Sequence, residues 1–230
     1  MVFDIKPLRS IRSFVRREGR ITPAQTRALT QLWPRYGIPA GDAPLDWPAV
    51  FGRRAPMILE IGFGNGEALA AVAAEHPENN YLGIEVHRPG VGNLLRLLEA
   101  GKLSNVRMML ADAKEVLAAQ IPDASLTAVH LFFPDPWPKQ RHHKRRLVQA
   151  DFAALVARKL VSGGYFHLAT DWQDYAEHMA AVLSRTPGLA DMSGSAEFSA
   201  LATSRRQTRF ERRGRRLGHA VRDLVFRRVD

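Results

Sequence analysis

The sequence predicts an α/β fold built on a doubly wound, mostly parallel sheet. Three observations carry this. Short apolar runs alternate with helical patterns from Met57 onward, the alternation repeats five times, and a glycine-rich turn joins the first apolar run to the first helix. Taken in order, "MILEIG" reads as a buried strand and Gly66 to His76 as an alanine-rich helix. "YLGIEV" is a second strand, with a helix from Val91 to Ala100. "VRMMLAD" is a third, followed by a short helix. "LTAVHLFF" is a fourth, followed by helical spacing from Arg146 to Leu160. "GGYFHLATD" is a fifth strand after a Gly-Gly turn, with a helix from Asp174 to Ser184, and the tail "GHAVRDLVFRR" holds one more strand-like run. In such a sheet ligands bind outside the carboxyl ends of the strands. Residues 1–50, rich in Pro and Gly with little periodicity, read as a basic N-terminal arm that is partly flexible, and 51–230 as one domain.

The length of 230 residues suits one main domain. No run of about 18 apolar residues occurs, and "MVFDIKPLRSIRSF" lacks the apolar core of a signal peptide, so a soluble, cytoplasmic protein is expected. With no cysteine, disulfides, cysteine nucleophiles and thiolate metal sites are excluded. The net charge of +10 is unevenly placed. Residues 1–56, 139–146 and 205–216 hold 22 of the 33 Lys and Arg against 5 acids, whereas residues 57–138 carry 5 cations and 10 acids. Three basic segments around an acidic centre point to a polyanion partner over a small-molecule pocket. Arg dominates, and Arg suits bidentate phosphate contact and base stacking. Arg9, Arg12, Arg16, Arg17 and Arg20 fall partly at helical spacing, so the arm reads either as a tether or as a helix formed on RNA.

"LEIGFGNGEALA" has the context of a nucleotide-binding turn, and its spacing decides the ligand. Counted from Gly62 and Gly64, the sixth position is Glu67, so a dinucleotide fingerprint fails; no Gly-Lys-Ser/Thr follows, so a phosphate-binding loop fails too. What remains is Glu60 before Gly62, Gly64 and Gly66. That pattern suits a ligand needing close backbone approach but carrying no phosphates, such as S-adenosylmethionine. Glu85, ending the second strand, is placed to accept from both ribose hydroxyls, and Asp112, ending the third, from the adenine amino group. Each acid alone also reads as a helix cap or solvated loop residue.

Pro134 ends the fourth strand at Phe133, leaving Asp135 beside the first strand and its glycine loop, held by the rigid "PDPWP". Asp171, in "ATDW" at the end of the fifth strand, reads equally as a base-edge contact or as the N-cap of the next helix. Trp137 reads either as a stacking platform for the target base or as a residue fixing the proline loop. The adjacent His142 and His143 sit among five cations, which favours phosphate contact or solvation over a metal, and no metal is expected. His87, His130, His167, His178 and His219 share no ligand spacing.

Together, "LEIGFGNGEALA", "LGIEVHRPGVG", "NVRMMLADA", "FFPDPWPKQRHHKRR", "LATDWQDYA" and "TRFERRGRRLGH" resemble the bacterial tRNA (guanine-N7)-methyltransferase family. The match extends over nearly all of Met57 to Arg228, and "RSFVRREGRIT" resembles that family's N-terminal arm. "PDPWPK" with "RHHKRR", and "TRFE", are the specific signatures; the glycine loop is shared with many methyltransferases. The resemblance implies the Rossmann-like class I methyltransferase fold with a seven-stranded sheet. It implies transfer of a methyl group from S-adenosylmethionine to N7 of the variable-loop guanosine at tRNA position 46. The alternative is a methyltransferase acting on another RNA or on a small molecule.

By position, the resemblance places Glu60, Gly62, Gly64, Gly66, Glu85, Asp112 and Asp135 at the cofactor, with Asp135 the catalytic residue. It makes Lys139, Asp171, Thr208, Arg209, Phe210 and Glu211 substrate contacts. Arg141, His142, His143, Lys144, Arg145 and Arg146 would touch RNA. Arg209 stands where Lys is also familiar in the family. The partner is tRNA, with no membrane, and the chain is expected as a monomer or homodimer. Guanine N7 has an exposed lone pair, so no general base is needed. Asp135 would instead stabilise the developing purine cation, or orient the ring through its N1 and N2 donors.

Overall fold

The computed structural model describes residues 12–14, 19–216, 218 and 220–229, without the side chains of residues 204, 209, 210, 213 and 215. Five strands, β1 (Met57–Ile61), β2 (Asn80–Glu85), β3 (Val106–Leu110), β4 (Leu126–Phe132) and β5 (Leu160–Thr170), run parallel. The short β6 (Leu189–Asp191) and β7 (Arg222–Arg228) complete a seven-stranded sheet in the order β3-β2-β1-β4-β5-β7-β6, with β7 antiparallel to both its neighbours. This is the doubly wound, mostly parallel sheet that the alternation predicts.

The strands read as continuous apolar runs because both faces are covered. Successive side chains point to opposite faces, so Ile58, Tyr81 and Ala128 join one core while their neighbours Leu59, Leu82 and Val129 join the other. The first core is closed by α4 (Glu67–Glu75) and α5 (Arg88–Ala100), the second by α6 (Ala113–Ala119), α7 (Ala150–Lys159) and α8 (Gln173–Ser184). The expected helical spacing from Arg146 is shorter in fact. Gln140–Arg145 forms a 3-10 turn, and α7 begins only at Ala150.

Of the segment expected as an arm, residues 22–51 carry three helices packed on the domain: α1 (Pro23–Gln31), α2 (Trp33–Tyr36) and α3 (Trp47–Phe51). Pro23, Pro34 and Pro48 sit in the first turn of each, where a missing N–H costs nothing and a fixed φ favours the helix. The prolines that suggested irregular chain are helix starts. A capping box between Thr22 and Gln25 opens α1, and the Gln25 amide donates to the Pro89 carbonyl of α5 at 3.0 Å. Tyr36 is fully buried, and the Ile38 N–H donates to the Met108 carbonyl of β3 at 2.8 Å. Two further helices, α9 (Ala196–Ser204) and α10 (Arg209–Arg216), lie between β6 and β7.

β1 has β2 on one side and β4 on the other. The winding reverses there, which puts the cleft over the carboxyl ends of β1 and β4.

Candidate active site

The glycine loop leaves β1 with φ of 75°, 59° and 75° at Gly62, Gly64 and Gly66, the left-handed region that side chains disfavour. Its shape is fixed from two sides. The Gly64 N–H donates to Glu85 Oε2 at 2.8 Å, and α5 presses on it so closely that a Cβ on Gly90 would lie 2.0 Å from the Gly64 carbonyl oxygen. Glu85 Oε1 accepts from the N–H groups of Val86 and His87 at 2.6 and 3.0 Å. Three of about four acceptor positions on that carboxylate are therefore used within the chain, and the remaining capacity is on Oε2.

A groove of about 2660 Å³ runs over these strand ends. Single small-molecule pockets span about 300–1,000 Å³, so the groove exceeds the needs of one cofactor and has room for a nucleobase beside it. Glu60, the glycine loop, Glu85, Asp112, Asp135, Lys139, His142 and Thr208 all line it. Glu60 is 7% exposed, has no hydrogen-bond partner among the described residues, and is pushed up from 4.5 to about 7 by burial and then by Glu85. Asp112 caps α6 through Oδ1, which accepts from the Lys114 N–H at 2.9 Å, and its second oxygen has no partner among the described residues. The cap reading and the ligand reading thus coexist on one carboxylate.

Asp135 is exposed in the groove wall, between two left-handed aromatic residues, Phe133 (φ 52°) and Trp137 (φ 47°). Such backbone costs about 1–3 kcal/mol per residue and persists only where the surroundings over-determine it. Here they do. The Phe133 N–H donates to the Ala169 carbonyl at 2.8 Å, and the Trp137 indole N–H to the Ser13 carbonyl at 2.9 Å. The Arg145 guanidinium lies 4.0 Å over the Trp137 ring, and His142 meets that ring edge-on. These contacts fit the second of its two sequence readings, a residue fixing the proline loop, while Trp137 also lines the groove where a base could stack. β4 ends at Phe132, one residue before the limit set by Pro134.

Within the basic block the expected RNA contacts divide. Arg141 and Lys144 are exposed. His142 is held below its ordinary value, first by desolvation and then by the cations around it. Arg146 is withdrawn from the surface: its side chain is 1% exposed, donates to the Pro136 carbonyl at 2.9 Å, pairs with Asp174 and lies over the Tyr175 ring. A 3-10 turn has three residues per turn, so His143 and Arg146 share a side and both face Asp174.

Two further placements differ from expectation. The N-cap of α8 is Trp172, which corrects the capping reading of Asp171; its reading as a base-edge contact stays a proposal. Glu211 is outside the groove lining, its fully buried carboxylate paired with Arg205 at 2.6 Å. Arg209 and Phe210 open α10, and their side chains lie outside the described residues. Sequence reasoning missed the cluster of Arg205, which lines the groove, with His167 and Asp223.

The family described as putative methyltransferase matches residues 54–224. A tRNA (guanine-N(7)-)-methyltransferase of Alkalilimnicola ehrlichii is 62% identical over 96% of this chain and 93% of its own length. One of the same name from Hydrogenovibrio crunogenus is 55% identical over 96% of this chain and 92% of its own. The chain belongs to the tRNA (guanine-N(7)-)-methyltransferase family. Among solved structures, the 16S rRNA methyltransferase KamB superposes with a TM-score of 0.53 over 94% of this chain and 97% of its own, at 15% identity. That likeness shows the fold alone.

The family implies S-adenosylmethionine, and the residues present fit it. A buried carboxylate such as Glu60, without a partner among the described residues, calls for a cationic group, which the ligand's amino group and sulfonium supply. The remaining acceptor positions on Glu85 and Asp112 match hydroxyl and amine donors.

Proposed function

We propose that this protein methylates N7 of the variable-loop guanosine at tRNA position 46. The observation that carries the reading is the convergence of Glu60, Glu85, Asp112 and Asp135 on the lining of one groove. Family membership supports the same reaction. When bound, S-adenosylmethionine supplies a methyl group on a cationic sulfur.

The chain's own residues then bind, orient and stabilise. Glu60 neutralises positive charge at the amino end of the cofactor site, Glu85 accepts one ribose hydroxyl, and Asp112 accepts from the adenine amine. Asp135 takes no proton, because N7 of neutral guanine already presents its lone pair. It accepts from the guanine N1 and N2 donors and faces the cation that forms on the purine. Holding N7 in line with the methyl group can supply about 7–11 kcal/mol of the acceleration, which explains why so many contacts hold the Asp135 loop rigid. Thr208 and Lys139 also line the groove and meet the substrate there. Arg141 and Lys144 meet phosphates of the tRNA backbone.

No helix among the described residues is long and apolar enough to cross a membrane. We place the protein in the cytoplasm with its tRNA. Incubation of purified protein with labelled S-adenosylmethionine and unmodified tRNA tests the proposal. Labelled 7-methylguanosine is the expected product, and its absence across all tRNAs bearing a variable-loop guanosine would refute the reading.

A further inference from the structure

We infer that Arg205 is a positioning residue for methyl transfer, docking the segment that carries Thr208 against the turn that carries Asp135. The inference rests on the proposed function of this groove.

The Arg205 side chain is 5% exposed and reaches three separate parts of the chain. Nη1 donates to Glu211 Oε2 at 2.6 Å in α10, and Nε donates to Asp223 Oδ1 at 2.8 Å in β7. Its carbon lies 5.2 Å from the Phe132 ring centroid and 5.7 Å from that of Phe133, at the end of β4. A planar fork that joins two carboxylates while stacking on two rings is a task for arginine; the ammonium of lysine is a point charge without that geometry.

The location links this cluster to the reaction. Phe132, Phe133, Asp135, Arg205 and Thr208 all line the groove. Phe133 is the left-handed residue at the start of the Asp135 turn, so the guanidinium over its ring supports strained backbone two residues from the catalytic carboxylate. Three residues after Arg205, the Thr208 hydroxyl accepts the Glu211 N–H at 3.1 Å and opens α10. Glu211 therefore acts through Arg205: its pair with the guanidinium fixes the start of the helix on which Thr208 sits.

The electrostatics fit a rigid brace. Burial alone would lower the Arg205 value, yet the hydrogen bonds from Arg205 to Glu211 and Asp223 outweigh it and hold the guanidinium charged. Burial opposes ionisation of Asp223, and the hydrogen bonds from His167 and Arg205 still keep that carboxyl below its usual range. His167 Nε2–H donates to Asp223 Oδ1 at 2.8 Å from the neighbouring strand. His130, packed edge-on against His167, is pushed down to about 3, first by burial and then by His167 and Arg205, so it stays neutral. Loss of the guanidinium would leave the buried Glu211 carboxylate and the partly buried Asp223 carboxylate without their cation.

The test uses Arg205→Lys and Glu211→Gln in the full chain, the second keeping side-chain shape. For each, kcat and KM for unmodified tRNA, affinity for S-adenosylhomocysteine by calorimetry, and the fold by circular dichroism are compared with wild type. A displacement of about 1 Å at a reacting centre can cost roughly 100-fold in rate. Both folded variants are expected to lose at least about tenfold in kcat, with KM for tRNA and S-adenosylhomocysteine affinity within about threefold of wild type. Wild-type kcat in either variant would overturn the inference. A loss confined to affinity, or unfolding of Glu211→Gln, would overturn it as well, by assigning the cluster to binding or to stability. The wild-type reaction separates the two levels: an inactive wild type ends the proposed function and this inference with it, whereas active wild type with active variants ends only this inference.

Discussion

The two walls of the groove handle charge in opposite ways. At the ends of β1, β2 and β3, carboxylates keep acceptor capacity open: Glu60 is buried without a partner among the described residues, and Asp112 uses one oxygen for its cap. Beside and behind the β4 end, buried guanidinium groups are matched within the chain: Arg146 with Asp174 of α8, and Arg205 with Glu211 and Asp223. The first wall holds its electrostatics ready for a ligand. The second uses them to hold a strained turn in place. Substitutions in the first should therefore act on cofactor affinity, and those in the second on rate or stability.

The largest expected effect sharpens the second half of that comparison. Asp135→Ala should lower kcat by roughly 100-fold, the scale of losing one well-placed electrostatic group, while tRNA affinity changes little. Single-turnover rates beside filter-binding constants measure the split, and an unchanged rate would remove Asp135 from the reaction.

Glu60 tests the other wall through pH. Between its ordinary value of 4.5 and its folded value of about 7, the folded chain holds a proton that the unfolded chain releases. Stability should accordingly fall as pH rises through that window, by up to about 3 kcal/mol. Glu60→Gln should flatten this dependence and raise the melting temperature at pH 8. The same substitution should weaken S-adenosylmethionine binding and abolish the rise of affinity toward pH 7. Thermal melts and calorimetry between pH 5 and 8 provide both readings.

A smaller effect separates neighbours in one basic run. Arg146→Ala should cost about 2 kcal/mol, because it removes hydrogen bonds to a charged partner while leaving Asp174 exposed to water. Its salt dependence of tRNA binding should stay as in wild type. Arg141→Ala and Lys144→Ala should do the reverse, with stability kept and the log–log salt slope reduced by about 0.7 for each single-strand phosphate no longer neutralised. Melting curves and binding isotherms over a salt series check both.

These neighbours also show what the sequence can express. The β-α alternation was readable because parallel strands covered on both faces are mostly apolar, as "MILEI" is apart from Glu60. The glycine loop and the acids of three strand ends were readable because strand, turn and helix fix their spacing. Helices α1 to α3 were hidden by prolines that begin them. Strand β6, three residues long, carries too little pattern to register. "RHHKRR" reads as one charged block, and only the 3-10 turn sends Arg146 inward and Arg141 outward. The Arg205 cluster joins residues 18 and 56 positions apart, a separation at which composition says nothing about contact.

The central claim is that this groove brings guanine N7 of the tRNA variable loop to the methyl donor, with Asp135 holding the base. Borohydride and aniline cleavage of tRNA treated with the wild-type protein, or with Asp135→Ala, tests it most directly. Strand scission at the variable-loop guanosine with wild type, and a greatly reduced yield with the variant, is the predicted result. Scission elsewhere, none with wild type, or equal yields from both proteins would contradict the account.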